Sequence, residues 1–137
     1  MNAETRRLVI LRAHGRCEYC HRQQDDDYFT FHVEHIVAKQ HGGTDRLANL
    51  CFSCPECNAS KGTNLAGMLR GRVIPLYNPR RQLWRVHFRW NGPILIGVTL
   101  AGMVTVQVLN INDKDRVQIR ETQIAQGSFP PDDDPQE

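Results

Sequence analysis

Apolar positions in this chain come in short runs, each bounded by residues that start or stop regular structure. Ala3 to His14 carries Leu8, Val9, Ile10 and Leu11 on one broad face, and it predicts a helix capped by Asn2 and stopped by Gly15. Tyr28 to Val37 is rich in aromatic and β-branched residues and predicts a strand or the two arms of a hairpin. Gly42-Gly43 permits a turn at positive φ, and Thr44 or Asp45 can cap a short helical turn before Leu47. Pro55 suits a first helical position and Gly62 a stop, so a helix is predicted up to Lys61. Further on, Leu83 to Trp90 alternates, with Trp84, Val86, Phe88 and Trp90 on one side, which predicts a half-buried strand. Asn91-Gly92 signals a hairpin with Ile94 to Val98 returning, and Pro93 favours an edge position. Met103 to Leu109 is compatible with strand or helix. Asp113 to Ala125 predicts a helix with Val117, Arg120 and Ile124 on one face. From Gly127 onward, three prolines and four acidic residues predict a disordered tail.

Length and charge narrow this picture. A chain of 137 residues suits one compact domain with a small appendage. Its apolar runs are too short to span a bilayer and its N-terminus lacks a signal-peptide core, so a cytoplasmic setting without membrane contact is expected. Five cysteines, an odd number, argue against a disulfide framework and for reduced thiols available to a metal. The net charge of +2 predicts no partner by itself, but its distribution does. Residues 70–112 hold Arg70, Arg72, Arg80, Arg81, Arg85 and Arg89 and no acid, whereas the tail holds Asp132, Asp133, Asp134 and Glu137. Such a basic stretch suits a nucleic-acid backbone, and equally a solvated face.

The thiols are spaced for a metal. Cys17 and Cys20 form one C-x-x-C pair; Cys51, Cys54 and Cys57 offer two overlapping ones. A thioredoxin-like redox pair would need a βαβ unit, which the pattern lacks. Because Pro55 places Cys54 at a helix cap and Cys57 in the first turn, Cys54 and Cys57 complete the set, and Cys51 is left as a buried free thiol. Cys17, Cys20, Cys54 and Cys57 are therefore expected to hold one structural zinc ion. The 33 residues between Cys20 and Cys54 bring in Glu34, His35 and Asn49, with Asn58 and Lys61 just beyond the second pair. A carboxylate, an imidazole and a carboxamide held together by a structural metal suit metal-assisted hydrolysis.

The strings CEYC, HVEHI, GG, NL and CPECNASKG together resemble the HNH endonuclease family, in the variant whose third letter is Asn. The resemblance covers about Cys17 to Gly62. It implies a zinc-stabilised, treble-clef-like ββα-metal core preceded by a helix, and with the β-hairpin and helix that the pattern predicts after it the expected fold is α+β. The expected division is a nuclease core at 1–70, a basic hairpin and helix extension at 71–126, and an acidic tail at 127–137. Carried over by position, His35 resembles the general base, a role imidazole suits because it titrates near neutral pH. Glu34 and Asn58 resemble the ligands of a catalytic divalent cation, for which two oxygen donors favour Mg²⁺ or Mn²⁺. Glu34 stands where Asp is more usual, which moves the carboxylate outward by one methylene. Asn49 resembles the residue that braces the loop and orients the base. Lys61, on the same helix face as Asn58, suits a phosphate contact or the helix dipole. His32 suits a group behind the ligands or a third ligand, and ideal strand alternation puts His35 on the face opposite Glu34.

These residues imply a metal-dependent endonuclease that hydrolyses phosphodiester bonds, most naturally of double-stranded DNA, with His35 activating water and the arginines on the backbone. Two other readings use fewer of them. A zinc-stabilised DNA-binding module without activity needs only the basic segment. A zinc-scaffolded protein-interaction module does not need the arginines.

Overall fold

Asn2 opens the first element by accepting from the Thr5 amide at 2.8 Å, and α1 runs Ala3–Arg12. The structure is a computed structural model describing residues 1–24 and 30–136. The loop expected at Asp25 to Asp27, the Tyr28 start of the first strand and Glu137 lie outside the described residues. Of the apolar face expected on α1, Val9 is buried, whereas Leu8 and Leu11 are exposed. Val9 and Ile10 pack on the core, and polar contacts add to them: Arg12 donates to the Leu50 carbonyl at 2.7 Å and Arg6 to that of Phe31 at 3.3 Å.

The ββα unit follows in the expected order. β1 (His32–His35) pairs antiparallel with β2 (Leu50–Ser53), and α2 (Pro55–Lys61) follows immediately. Pro55 fits the first turn of α2 because that position needs no N–H donor, and Cys54 caps it through its sulfur. Among the described residues each sheet has two strands: β1–β2, then β3 (Ala66–Leu69) with β4 (Arg72–Pro75), then β5 (Phe88–Asn91) with β6 (Ile94–Gly97). The boundary expected between residues 70 and 71 falls in the turn of the β3–β4 hairpin, whose register pairs Leu69 with Arg72. A division there would separate two hydrogen-bonded strands. One core also crosses it, since Tyr19, Phe31 and Phe52 belong to the same buried cluster as Tyr77, Phe88 and Ile111.

Three local expectations change in the second half. Trp84–His87 is one helical turn, α3, not part of a strand. The Trp84 indole donates to the Tyr19 carbonyl at 2.8 Å and stacks on His21 at 3.9 Å, so a distant knuckle draws it in while Val86 stays 52% exposed. The stretch left open between strand and helix belongs to α4 (Leu100–Val108), capped by Thr99. It lies against β3, β4 and β6, and a side chain at Gly97 would come within 2.3 Å of the Met103 amide. Packing there outweighs the strand preference of its β-branched residues. α5 (Lys114–Ala125) starts at an Asp113 cap, but its buried positions are Arg116 and Arg120, not the expected set of Val117, Arg120 and Ile124.

The tail packs against the rest of the chain, contrary to what its composition predicts. Phe129 is buried edge-on to Trp90 at 4.8 Å, and Asp133 pairs with Arg16 at 2.7 Å and His14 at 2.8 Å. Gln136 donates to the Pro79 and Gln82 carbonyls and accepts from the Trp84 amide. The aromatic anchor and these local charge partners offset the solubility of three consecutive aspartates. No helix among the described residues is long and apolar enough to cross a membrane.

Candidate nuclease and metal centre

Two knuckles bring four sulfurs together. The first follows the stop of α1 and the second is the start of α2, so Cys17, Cys20, Cys54 and Cys57 place one sulfur each within 4.8 Å of all the others. The Cys20 and Cys54 sulfurs are 3.7 Å apart, close to the spacing of about 3.8 Å that a tetrahedral site with zinc–sulfur bonds of about 2.3 Å requires. In each knuckle the second cysteine's amide donates to the first sulfur, at 3.5 Å for Cys20 and 3.4 Å for Cys57. All four are buried. The donor set fits zinc, and no other described group of histidine, cysteine and carboxylate side chains gathers in this way.

A guanidinium from the far end of the chain reaches the same sulfurs. Arg116 Nη2 lies 2.9 Å from Cys57 Sγ and 3.9 Å from Cys54 Sγ. Burial alone would lower the Arg116 pKa, but the negative thiolates outweigh it and hold the group above its ordinary value.

Cys51 lies apart, on β2 opposite Glu34. Its sulfur sits 3.4 Å from Glu34 Oε1 and 3.6 Å from the Tyr19 hydroxyl. Glu34 is only 9% exposed, and burial raises its pKa against the opposing pull of the Lys61 charge and the Cys51 and Tyr19 hydrogen bonds. Here the longer side chain is turned into a polar pocket that reaches back to the first knuckle. Lys61 is 2% exposed and donates to the Ile36 carbonyl at 3.0 Å. It therefore braces the bend after β1 from below, and its ammonium has no free surface to offer a phosphate.

Asn49 ties the loop in three places. Its Oδ1 accepts from the Val37 amide at 2.9 Å, and its Nδ2 donates to the carbonyls of Val37 at 2.9 Å and Thr44 at 2.8 Å. The loop closes tightly enough that a Cβ on Gly43 would lie 1.7 Å from the Val37 carbonyl oxygen, so only glycine fits. The closure carries Asp45 to His35, whose Nε2 donates to Asp45 Oδ1 at 2.7 Å. Lys39 holds the other Asp45 oxygen at 3.2 Å. These two hydrogen bonds keep the exposed Asp45 carboxyl below its usual range.

Glu34, His35 and Asn58 line one open cleft, together with His32, Val33, Ala38, Lys39 and Gly62. Glu34 and His35 both lie within β1, with Glu34 opposite Cys51 and His35 opposite Leu50, and the backbone bends at Ile36 directly after them. Among the described residues the Asn58 side chain has no hydrogen-bond partner. Asp45, Tyr19 and Arg116 are the contacts that sequence reasoning passed over. Asp45 was legible only as a cap residue, Tyr19 only as a spacer between two cysteines, and Arg116 only as part of a helix.

The basic segment divides into two groups. Arg80 is buried in an ion pair with Glu18 of the first knuckle, and Arg85 pairs with Asp134 at 3.6 Å. Arg70, Arg72, Arg81 and Arg89 have no protein partner for their guanidinium groups among the described residues. Arg81 lines a groove with Ile36 and Val37, the residues directly after His35.

Residues 17–64 match the family described as HNH endonuclease, so the chain carries an HNH endonuclease domain over that segment. Beyond the domain, the chain is 30% identical over 114 residues to the Septu protein PtuB of Bacillus thuringiensis. The alignment takes in 81% of this chain and 42% of that protein, so the chain spans less than half the length of its relative. No solved structure matches the chain significantly. The family points to a function in cleaving or binding nucleic acid.

Proposed function

We propose that this protein is a metal-dependent endonuclease that hydrolyses phosphodiester bonds of double-stranded DNA. What supports the reading is that Glu34, His35 and Asn58 line one cleft, and that the Asn58 carboxamide has no hydrogen-bond partner among the described residues. Glu34 and Asn58 would hold Mg²⁺ or Mn²⁺: a buried carboxylate in need of positive charge and a free amide oxygen suit a hard cation. Such a cation, when bound, stabilises negative charge on the departing 3′-oxygen.

His35 takes the proton from the attacking water. Its Nε2–H is committed to Asp45, which leaves Nδ1 as the basic nitrogen and fixes the ring's orientation. Asn49 acts one step back, by holding the loop that delivers Asp45. Lys61 keeps the bend after β1 in place, and its charge favours the ionised Glu34. The product would carry a 5′-phosphate. Supercoiled plasmid incubated with the zinc-loaded protein tests the reading: nicked or linear DNA is expected with Mg²⁺ and none when no Mg²⁺ or Mn²⁺ is added. Binding without any cleavage, with Mg²⁺ or Mn²⁺, would favour the non-catalytic DNA-binding module instead.

Arg70, Arg72, Arg81 and Arg89 supply the sequence-independent contact with the backbone. Each one replaced by Ala should reduce the slope of log affinity against log salt by about one unit, since each phosphate contact releases about one counterion. Arg80→Ala should lose stability instead, because it strands Glu18 in a buried site. Binding titrations over a range of salt check both. An unchanged slope in the Arg70, Arg72, Arg81 and Arg89 quadruple variant would make these residues a solvated face.

A further inference from the structure

The geometry points to Arg116, with Arg120 one turn further along α5, as the outer cationic shell of the four-cysteine metal site, through which the C-terminal helix holds the metal in place. The inference rests on the zinc reading of the four thiols and is independent of the nuclease reading. A divalent ion on four thiolates leaves the cluster with two excess negative charges, buried in the core. Such charge is stable out of water only if it is paired or hydrogen-bonded. The knuckle amides supply two weak donors, and among the described residues Arg116 supplies the one full positive charge in direct contact with sulfur, 2.9 Å from Cys57.

The same argument runs from the arginines. Arg116 and Arg120 are 7% and 6% exposed and lie four residues apart, so their charges sit on one helix face. Among the described residues neither has a carboxylate partner. Their neutral contacts are satisfied: Arg116 Nη1 donates to the Leu109 carbonyl at 2.8 Å, and Arg120 donates to the carbonyls of Pro93 and Ile111 and lies over the Trp90 ring. Two like charges buried this closely need an anion, and the thiolate cluster is the one that Arg116 touches directly, with the Glu56 carboxylate a more distant negative charge shared with Arg22. Arg116 and Arg120 line a small cavity with Cys20 and Arg22, and Arg22 is turned onto Glu56 at 2.8 Å. Helix α5 therefore completes the metal site, and the extension is a working part of the nuclease-type domain.

The test is metal retention by the full-length, zinc-loaded protein, with no nucleic acid and no Mg²⁺ present. Zinc transfer to a chromophoric chelator is timed for wild type, Arg116→Gln and Arg120→Gln, with circular dichroism confirming the fold. Removing a group that bonds to a metal ligand typically costs 10- to 100-fold in metal affinity, so Arg116→Gln should release zinc about tenfold faster or more. Arg120→Gln, which lacks a sulfur contact, should show a smaller acceleration. A folded Arg116→Gln protein that releases zinc at the wild-type rate would overturn the proposal, because Arg116 would then serve only the Leu109 and Asn110 carbonyls. If that variant does not fold, cobalt-substituted Arg116→Lys decides. A shifted thiolate-to-cobalt charge-transfer band with faster metal release supports the proposal, and an unchanged spectrum and rate refutes it. Wild-type protein that binds no zinc, or a Cys57→Ser protein that retains it equally well, would remove the zinc reading and this inference with it.

Discussion

Cys57→Ser should empty the metal site and unfold the domain around it, the largest effect expected of any single change in this chain. The four thiols crowd within 4.8 Å of one another, so without the metal the knuckles, among the described residues, rely on the Glu18–Phe52 hydrogen bonds and the Arg22–Glu56 ion pair against that crowding. In small modules built this way, metal binding is itself the folding free energy, on the order of 10 kcal/mol. Cys17→Ser should behave likewise. Cys51→Ser should keep its zinc, since its sulfur faces Glu34 and Tyr19. It should lose only the modest contribution of a buried polar contact, about 1 kcal/mol. Metal analysis and thermal melting of the three variants, with and without added zinc, check this. Zinc lost from Cys51→Ser but kept by Cys57→Ser would mean that the overlapping C-x-x-C pair is the true one.

His35→Ala should lower the rate of plasmid nicking by on the order of 10²-fold or more while leaving zinc content, fold and DNA affinity near wild type. The reason is the position of the ring at the end of β1, partly exposed in the cleft. It touches Asp45 and none of the cysteines. In the proposed mechanism its work falls in the step in which water gives up a proton, so removing it should cost transition-state stabilisation and little else. Asp45→Asn keeps a hydrogen bond but not the charge, and should give part of the same loss without changing the Mg²⁺ dependence. Glu34→Ala should differ in kind. As a proposed ligand it should raise the Mg²⁺ concentration needed for half-maximal rate, and added Mg²⁺ should restore part of the activity. It should also lose stability, because Cys51, Tyr19 and Lys61 are left around a cavity. A folded, zinc-loaded His35→Ala protein that nicks at the wild-type rate would sink the assignment of the base.

What could be learned from sequence alone about this protein was local. The Asn2 cap, the Pro55 helix start, the glycine turn before Thr44 and the second-half hairpin at Asn91-Gly92 each depend on backbone preferences of a few adjacent residues, and each is where the pattern put it. The cysteine spacing belongs with them, since a knuckle is a property of four consecutive residues. Which charges are used, and for what, was settled by tertiary structure. Arg116 meets Cys57 across 59 positions of sequence and Arg80 meets Glu18 across 62, and nothing in the neighbourhood of either arginine announces its partner. Six arginines in a row of basic segments look alike in one dimension; the fold then takes Arg80 and Arg85 for ion pairs and leaves four exposed, without partners among the described residues. The same holds for Glu34, which reads as a surface ligand and is turned into a pocket made by Tyr19, Cys51 and Lys61. Trp84 breaks its own alternating pattern because its indole finds the Tyr19 carbonyl 65 residues away. Backbone conformation is chosen over a few residues, where sequence is a direct guide. Desolvation and charge pairing are chosen by whatever the fold brings within a few ångströms, and only the folded chain contains that information.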